Sequence, residues 1–352
     1  MGAELVGIMV VLDSDAEASG RIPALEQVAN RPIADHVLSA LDAAGVTEVL
    51  VLCPAARAAE IRDCLGCERA GGAPLRYVED PGPFELRRAL QLAADSIGSA
   101  PCIVHLAGGL LSEPLSPFVE RVVRGAADVV LFVHQSEAAD GHLSPATQEM
   151  LHLAELDPDR AALRLAGVWL FAGAALSRAC AAPGRSLSGG DLPSVAEQIT
   201  ADGGNVQVAL VDAWRRYTGA PLDRLELNRI ALDRLESDPR RPSNNGNLIE
   251  GRVWIHERAS VRASVLVGPA VIGPGARIAD AYIGPYTSIG AGARVEGAEI
   301  ERSIISPGAS VLHIGGRLAA SVVGRDARIF RDFSLPRALR LRVGDGTEVA
   351  LS

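Results

Sequence analysis

Aliphatic residues recur with a period of six near the end of this 352-residue chain. They stand at Ile249, Ile255 and Val261, at Ile272 and Ile278, at Ile283, Ile289 and Val295, at Ile305 and Val311, and at Val323 and Ile329. Glycine-proline pairs at 268–269, 273–274 and 284–285 and glycine-alanine pairs at 275–276 and 292–293 fill the intervals. A period of six matches neither a helix stripe nor strand alternation. It predicts a parallel β-helix of hexapeptides, three to a triangular coil, each coil burying its aliphatic corners on the next. Glycine and small residues let such a chain turn sharply. A Gly/Pro-rich sandwich would alternate with period two instead.

The residues before this array read as α/β. Residues 5–12 form a continuous apolar run suited to a buried parallel strand. Helical spacing follows over 33–44, with Ile33, Val37, Leu38 and Leu41 on one face, and residues 48–52 make a second strand. Helices are expected over 55–64 and 85–94, and strands over 75–78, 102–106, 128–134, 167–171 and 206–211. A last helix over 222–235 shows a stripe of Leu225, Ile230 and Leu232. Alternation of this kind implies a doubly wound, mostly parallel sheet with helices on both faces. Residues 236–247, rich in proline, asparagine and charge, read as a linker. The predicted organisation is therefore an α/β domain over 1–235, the linker, and a β-helix with a C-terminal cap over 248–352.

Composition narrows the function classes. The net charge is −9 and no basic run exceeds a pair, which speaks against nucleic-acid binding. No signal peptide is apparent, and no apolar stretch approaches the roughly 20 residues of a membrane span, so a cytoplasmic location is expected. The five cysteines, Cys53, Cys64, Cys67, Cys102 and Cys180, are odd in number and irregularly spaced, unlike a disulfide framework. Cys64 and Cys67 have the spacing of half a zinc site, with no second pair following. The chain contains no lysine. Any mechanism that needs a side-chain amine is excluded.

Four stretches carry a family resemblance. They are Val28-Ala-Asn-Arg-Pro-Ile33 followed by Ala44-Gly-Val-Thr-Glu-Val49; Gly167-Val-Trp-Leu-Phe171; Thr218-Gly-Ala-Pro221 with Leu225-Glu-Leu-Asn228; and the hexapeptide array, with Tyr282-Ile-Gly-Pro-Tyr-Thr-Ser-Ile289 and Arg340-Leu-Arg-Val-Gly-Asp345 its most specific parts. Together they resemble the sugar-1-phosphate nucleotidylyltransferases, and most of all the long-form glucose-1-phosphate thymidylyltransferases. The resemblance implies a nucleotidyltransferase-type α/β domain followed by a left-handed β-helix. It also implies attack of a sugar phosphate on the α-phosphate of a nucleoside triphosphate. That chemistry needs a glycine-rich loop for the triphosphate, a cation for the developing charge, and carboxylates for Mg²⁺.

The chain departs from the family pattern at each of these parts. Where the family has a Gly-Gly-x-Gly-Thr-Arg loop, residues 11–20 read Val-Leu-Asp-Ser-Asp-Ala-Glu-Ala-Ser-Gly, with Asp13, Asp15 and Glu17 opposing a triphosphate. The family's lysine falls at Pro23; Arg21 is the nearest cation and differs from an ammonium in fork and reach. The two metal aspartates fall at Gly108 and Tyr217. Residues 79–83, Glu-Asp-Pro-Gly-Pro, replace the base-recognition stretch. The sugar pocket is matched to Glu155, Gly167, Tyr217, Thr218 and Gly219. Tyr217 either stacks on a base or sugar or fills the space of a lost metal.

Three readings follow. The first is a catalytically impaired homologue acting as a regulatory or structural partner, or binding a nucleotide sugar or sugar phosphate. It would form a homo-oligomer, or a hetero-oligomer with a catalytic paralogue. The second is a divergent active enzyme forming dTDP-glucose or another NDP-sugar, with Arg21, Asp13 and Asp15 as rebuilt cation and Mg²⁺ ligands. The third is an acyltransferase using His256 or His313 on a coil as general base. His105, His134, His142 and His152 make no metal-spaced pair and read as structural.

Overall fold

The structure, a computed structural model, describes residues 4–12, 20–67, 69–82, 84–135, 163–181, 198–236 and 246–333. Its first part contains β1 (Val6–Val10), β2 (Gln27–Val28), β3 (Arg31–Pro32), α1 (Ile33–Ala43), β4 (Glu48–Pro54), α2 (Ala58–Leu65), β5 (Leu75–Asp80) and α3 (Leu86–Ile97). It continues through β6 (Cys102–Leu106), β7 (Gly109–Leu111), α4 (Ser116–Val123), β8 (Val129–Gln135), β9 (Leu163–Phe171), α5 (Ala175–Ala181), β10 (Val206–Val211), β11 (Trp214–Arg216) and α6 (Pro221–Asp233). Seven strands form one sheet in the order β10-β8-β9-β6-β1-β4-β5. Six run parallel; β9 is antiparallel to both β6 and β8. The apolar run that predicted β1 is the reason it lies in the middle: Ile8, Met9 and Val10 are covered on both faces.

Two expectations for this domain need correction. Residues 55–57 form a 3-10 turn ahead of α2 rather than its first turn. The buried residues of α6 are Asp223, Leu227, Asn228, Ile230, Ala231 and Leu232, whereas Leu225 is half-buried. The reason is that α6 is covered twice. It packs on β2, β7 and β11, and it also meets the β-helix near Val322–Val323. A helix buried on two sides has no single apolar stripe.

The second part is a left-handed parallel β-helix of three five-stranded sheets, entered by the strand Leu248–Glu250. One inward residue per strand builds its core: Leu266, Ile272, Ile278, Ile283, Ile289, Val295, Ile300, Ile305 and Val311 are all within 1% of full burial. The coils are shorter than three full hexads. Leu248 pairs with Val265 and Val265 with Tyr282, an advance of 17 residues. The missing residue is lost at one corner, where Val261 is followed by Leu266, Ile278 by Ile283 and Val295 by Ile300. There Ala263, Asp280 and Gly297 take left-handed backbone conformations (φ 46°, 49° and 56°), each followed by a small buried residue, Ser264, Ala281 or Ala298. Later coils advance by 16 and then 18 residues.

The α/β domain docks on one β-helix face. That face presents Trp254, Val271, Ser288, Ile304 and Val322 in register. Val271 belongs to the α/β core cluster, with Trp254 and Tyr286 packed against it. No described helix is long and apolar enough to cross a membrane. Residues 334–352, which include most of the expected cap, and 237–245 of the linker lie outside the described residues.

Candidate functional site

Sheet topology places the expected cleft beyond the carboxyl ends of β1 and β6, where parallel sheets of this type bind ligands. The chain leaves β6 through Ala107 and Gly108, and Ala107 N–H donates to Val10 O at 2.8 Å. A Cβ placed on Gly108 would lie 3.5 Å from Pro23 Cβ and 3.9 Å from Ala24 N. Tyr217 N–H donates to Gly108 O at 2.9 Å. Pro23, Gly108 and Tyr217 therefore meet at one point in the fold. These are the positions matched to the family lysine and its two metal aspartates, and they hold neither an amine nor a carboxylate.

Described charged groups around this point pair with one another. The Glu26 carboxylate, 13% exposed, lies 3.5 Å from Arg224 and 3.5 Å from Arg21, which is 74% exposed. Arg224 also donates to Gln27 O at 3.1 Å, while its buried Nε has no partner. Burial, and then the Glu26 charge, push the Tyr217 phenol above its ordinary range. The Tyr217 hydroxyl donates to Gly219 O at 3.3 Å. Asp223 pins the turn that follows: Oδ2 accepts from both the Thr218 N–H and its hydroxyl, and Oδ1 faces Arg215 Nε at 3.3 Å. The same pattern holds at the stretch matched to base recognition. Glu79 pairs with Arg62 at 2.5 Å, and Asp80, 6% exposed, pairs with Arg88 at 3.2 Å.

The face of β9 is filled from within. A Cβ on Gly167 would lie 2.6 Å from the Trp214 ring and 2.8 Å from Leu106, and one on Gly109 would lie 2.5 Å from the same ring. Trp214 reaches across both glycines and stacks near buried His105, with ring centroids 5.6 Å apart. Burial lowers the His105 pKa to about 4, so the imidazole is neutral. Sequence reasoning missed the glycine–tryptophan fit, because nothing in the spacing of Gly109, Gly167 and Trp214 signals contact.

Asp13, Asp15 and Glu155 lie outside the described residues, as do Glu17, His142 and His152. Thr218 and Gly219 are brought to Tyr217, and Arg21 to Glu26. His256 Nδ1 accepts from Arg258 N–H at 3.1 Å, a local turn contact. His313 stands on a corner of the β-helix with φ 51°. Cys64 and Cys67 are exposed thiols. Among the described residues no group of three metal-ligating side chains exists. The described residues do not fit Mg²⁺ at the family position: Glu26 is claimed by two guanidinium groups and Asp223 by Thr218 and Arg215.

Comparison with known proteins decides the family. The chain is 30% identical over 341 residues to a glucose-1-phosphate thymidylyltransferase of Streptomyces griseus, covering 93% of each chain. The chain belongs to the sugar-1-phosphate nucleotidylyltransferase family. It is also 28% identical over 343 residues to a glucose-1-phosphate thymidylyltransferase of Streptomyces antibioticus, and 27% over 334 residues to a low-salt glycan biosynthesis nucleotidyltransferase of Haloferax volcanii, again covering 93% of each chain. A solved Bacillus anthracis structure described as a glucose-1-phosphate thymidylyltransferase matches with a TM-score of 0.53 at 14% identity, covering 67% of this chain and 98% of its own. At that identity it speaks for the fold alone. No family model matches the sequence.

Proposed function

We propose that this family member does not carry out efficient nucleotidylyl transfer. It serves instead as a regulatory or structural partner of an active relative, or holds a nucleotide sugar without turning it over. The observation that carries the reading is the meeting of Pro23, Gly108 and Tyr217 at one point of the cleft. Loss of a single preorganised donor to a developing charge typically costs about 2.7–4 kcal/mol, or 10²–10³ in rate. Here a cation and two metal carboxylates are replaced together. The internal pairing of Glu26 and Asp223 supports the same reading, since a cleft built for a magnesium triphosphate leaves such carboxylates open to the metal.

Pyrophosphate release tests it. Purified protein is given Mg²⁺, glucose 1-phosphate and, in turn, dTTP, UTP, CTP, GTP and ATP, beside an active family enzyme. The expected result is release at background with every nucleotide. Turnover near the control's rate with any of them overturns the proposal and assigns the chemistry to Arg21, Asp13 and Asp15. Thermal shifts with dTDP-glucose and other nucleotide sugars separate the binding role from the partner role.

A further inference from the structure

Three of the stretches that carry the family resemblance meet away from the reacting point of the cleft. Residues 28–33, 225–228 and 282–289 come together at one joint between the α/β domain and the β-helix. Asn228, in the middle of α6 and 1% exposed, is its centre. Its Oδ1 accepts from Ala29 N–H at 2.8 Å and from the Ser288 hydroxyl at 2.6 Å, and its Nδ2 donates to Tyr286 O at 3.1 Å. Beside it, Asn30 Nδ2 donates to Ile289 O at 2.7 Å. On the outer side the Tyr286 hydroxyl donates to Asp233 at 3.0 Å, and Arg252 donates to Asp233 O at 2.6 Å.

Ala29 and Asn30 are the two turn residues of the β2–β3 hairpin, and both are left-handed, with φ of 46° and 62°. Asparagine tolerates that region; alanine is strained there and stays only when its surroundings hold it. Two side-chain bonds tie this turn to other elements: Ala29 N–H donates to Asn228 Oδ1 of α6, and Asn30 Nδ2 donates to Ile289 O of the β-helix. The hairpin in turn holds the cleft rim. Ile33 N–H donates to Glu26 O at 2.9 Å, and Gln27 O accepts from Arg224.

We propose that this joint couples the β-helix to the cleft: docking of the coil at 286–289 on Asn228 fixes the hairpin turn, and the turn fixes the rim at 20–28. An event on the β-helix, such as the seating of another chain, is thereby felt at the cleft. The coupling rests on the partner reading only for what acts on the β-helix; the joint is tested on the protein alone.

Hydrogen–deuterium exchange on the full chain, read by peptide, tests it. Asn30→Gly keeps the left-handed turn easy and removes only the link to Ile289 O. It is expected to speed exchange about fivefold or more, as loss of one internal hydrogen bond does, in segments 20–28 and 286–290 together, with β4, β5 and the last coil unchanged. Ser288→Ala, which breaks the joint from the other side, is expected to reach the same two segments. Asn228→Ala should give the largest change; if it does not fold, the other two variants still decide. Faster exchange confined to the mutated element, or spread evenly over the chain, overturns the coupling. The pyrophosphate assay reads the partner proposal separately, so turnover there with linked exchange here would sink that reading and leave the joint standing.

Discussion

The cleft and the interdomain joint share one helix, α6, and use their polar residues in opposite ways. At its start, Asp223 and Arg224 are spent on neighbours within the cleft: Thr218, Arg215, Glu26 and Gln27. In its middle, Asn228 reaches across to another domain and satisfies its groups there. A buried amide with matched partners demands one geometry, because each unmet group costs about 1–3 kcal/mol. Among the described residues, the cleft's carboxylates Glu26 and Asp223 already have partners and call for no ligand. Gly109 and Gly167 are sterically enforced on the cleft side too, so among the glycines the contrast is confined to Gly108. An added Cβ on Gly108 has open space to 3.5 Å, whereas on Gly290 of the β-helix it would sit 2.6 Å from Pro307 N. Sterics enforce the second glycine and not the first.

The largest expected effect tests the β-helix side. Ile283 and Ile305 are fully buried in its core. Truncating either to alanine should cost about 2–5 kcal/mol in urea unfolding, through lost transfer energy and the cavity left behind. Leu222, at the cleft end of α6 and 69% exposed, should change stability by less than about 0.5 kcal/mol on the same truncation. Equal losses at the two places would remove the contrast.

Acid should weaken the α/β side. His105 is 1% exposed, and burial holds its pKa at about 4, below the roughly 6.5 of an unfolded chain. As pH falls below about 6.5 the unfolded state takes up the proton first, so stability drops until pH passes about 4 and is unaffected by this group above 6.5. The slope approaches about 1.4 kcal/mol per pH unit inside that window. His36, whose pKa burial likewise lowers to about 4, adds in the same direction. Unfolding midpoints measured from pH 7.5 to 4 check this, and His105→Gln should flatten the dependence.

How much of this was legible in the sequence differs between the regions for a physical reason. The β-helix repeats, so one aliphatic column announced the fold. The residues that escaped, Leu266, Ile300 and Leu318, lie beyond corners that depart from six residues, where the strict period breaks. The antiparallel course of β9 left no mark, since a buried strand looks the same in either direction. Asn228 escaped because a hydrophobic pattern treats a polar residue as outward-facing, and only its partners at Ala29, Tyr286 and Ser288 make its burial possible. The cleft was legible through resemblance alone. Pro23, Gly108 and Tyr217 carry no signal of their own, and their convergence depends on the β6–β7 turn and on β11 pairing with β7.

A smaller effect separates enforced glycines from permitted ones. Gly290→Ala should cost about 1–3 kcal/mol, since the clash is with backbone that cannot swing aside. Gly108→Ala should leave the midpoint unchanged within about 0.5 kcal/mol, and matching losses would mean that Gly108 also has a steric reason.

The smallest effect is expected where the family would place its chemistry. Gly108→Asp restores one carboxylate into space that admits its Cβ, so the fold should be indifferent. Pyrophosphate release should stay at background. Among the described residues, one carboxylate beside Pro23 and Tyr217 gives a magnesium ion a single protein ligand and the leaving pyrophosphate no amine, and the Glu26–Arg224 pair stays satisfied without the metal. Adding Pro23→Lys and Tyr217→Asp supplies the missing groups, and Mg²⁺-dependent nucleotide binding by calorimetry should appear only in that triple variant. Turnover in Gly108→Asp alone would show that the rest of the cleft is still arranged for transfer, and the contrast between an internally paired cleft and a demanding joint would fail.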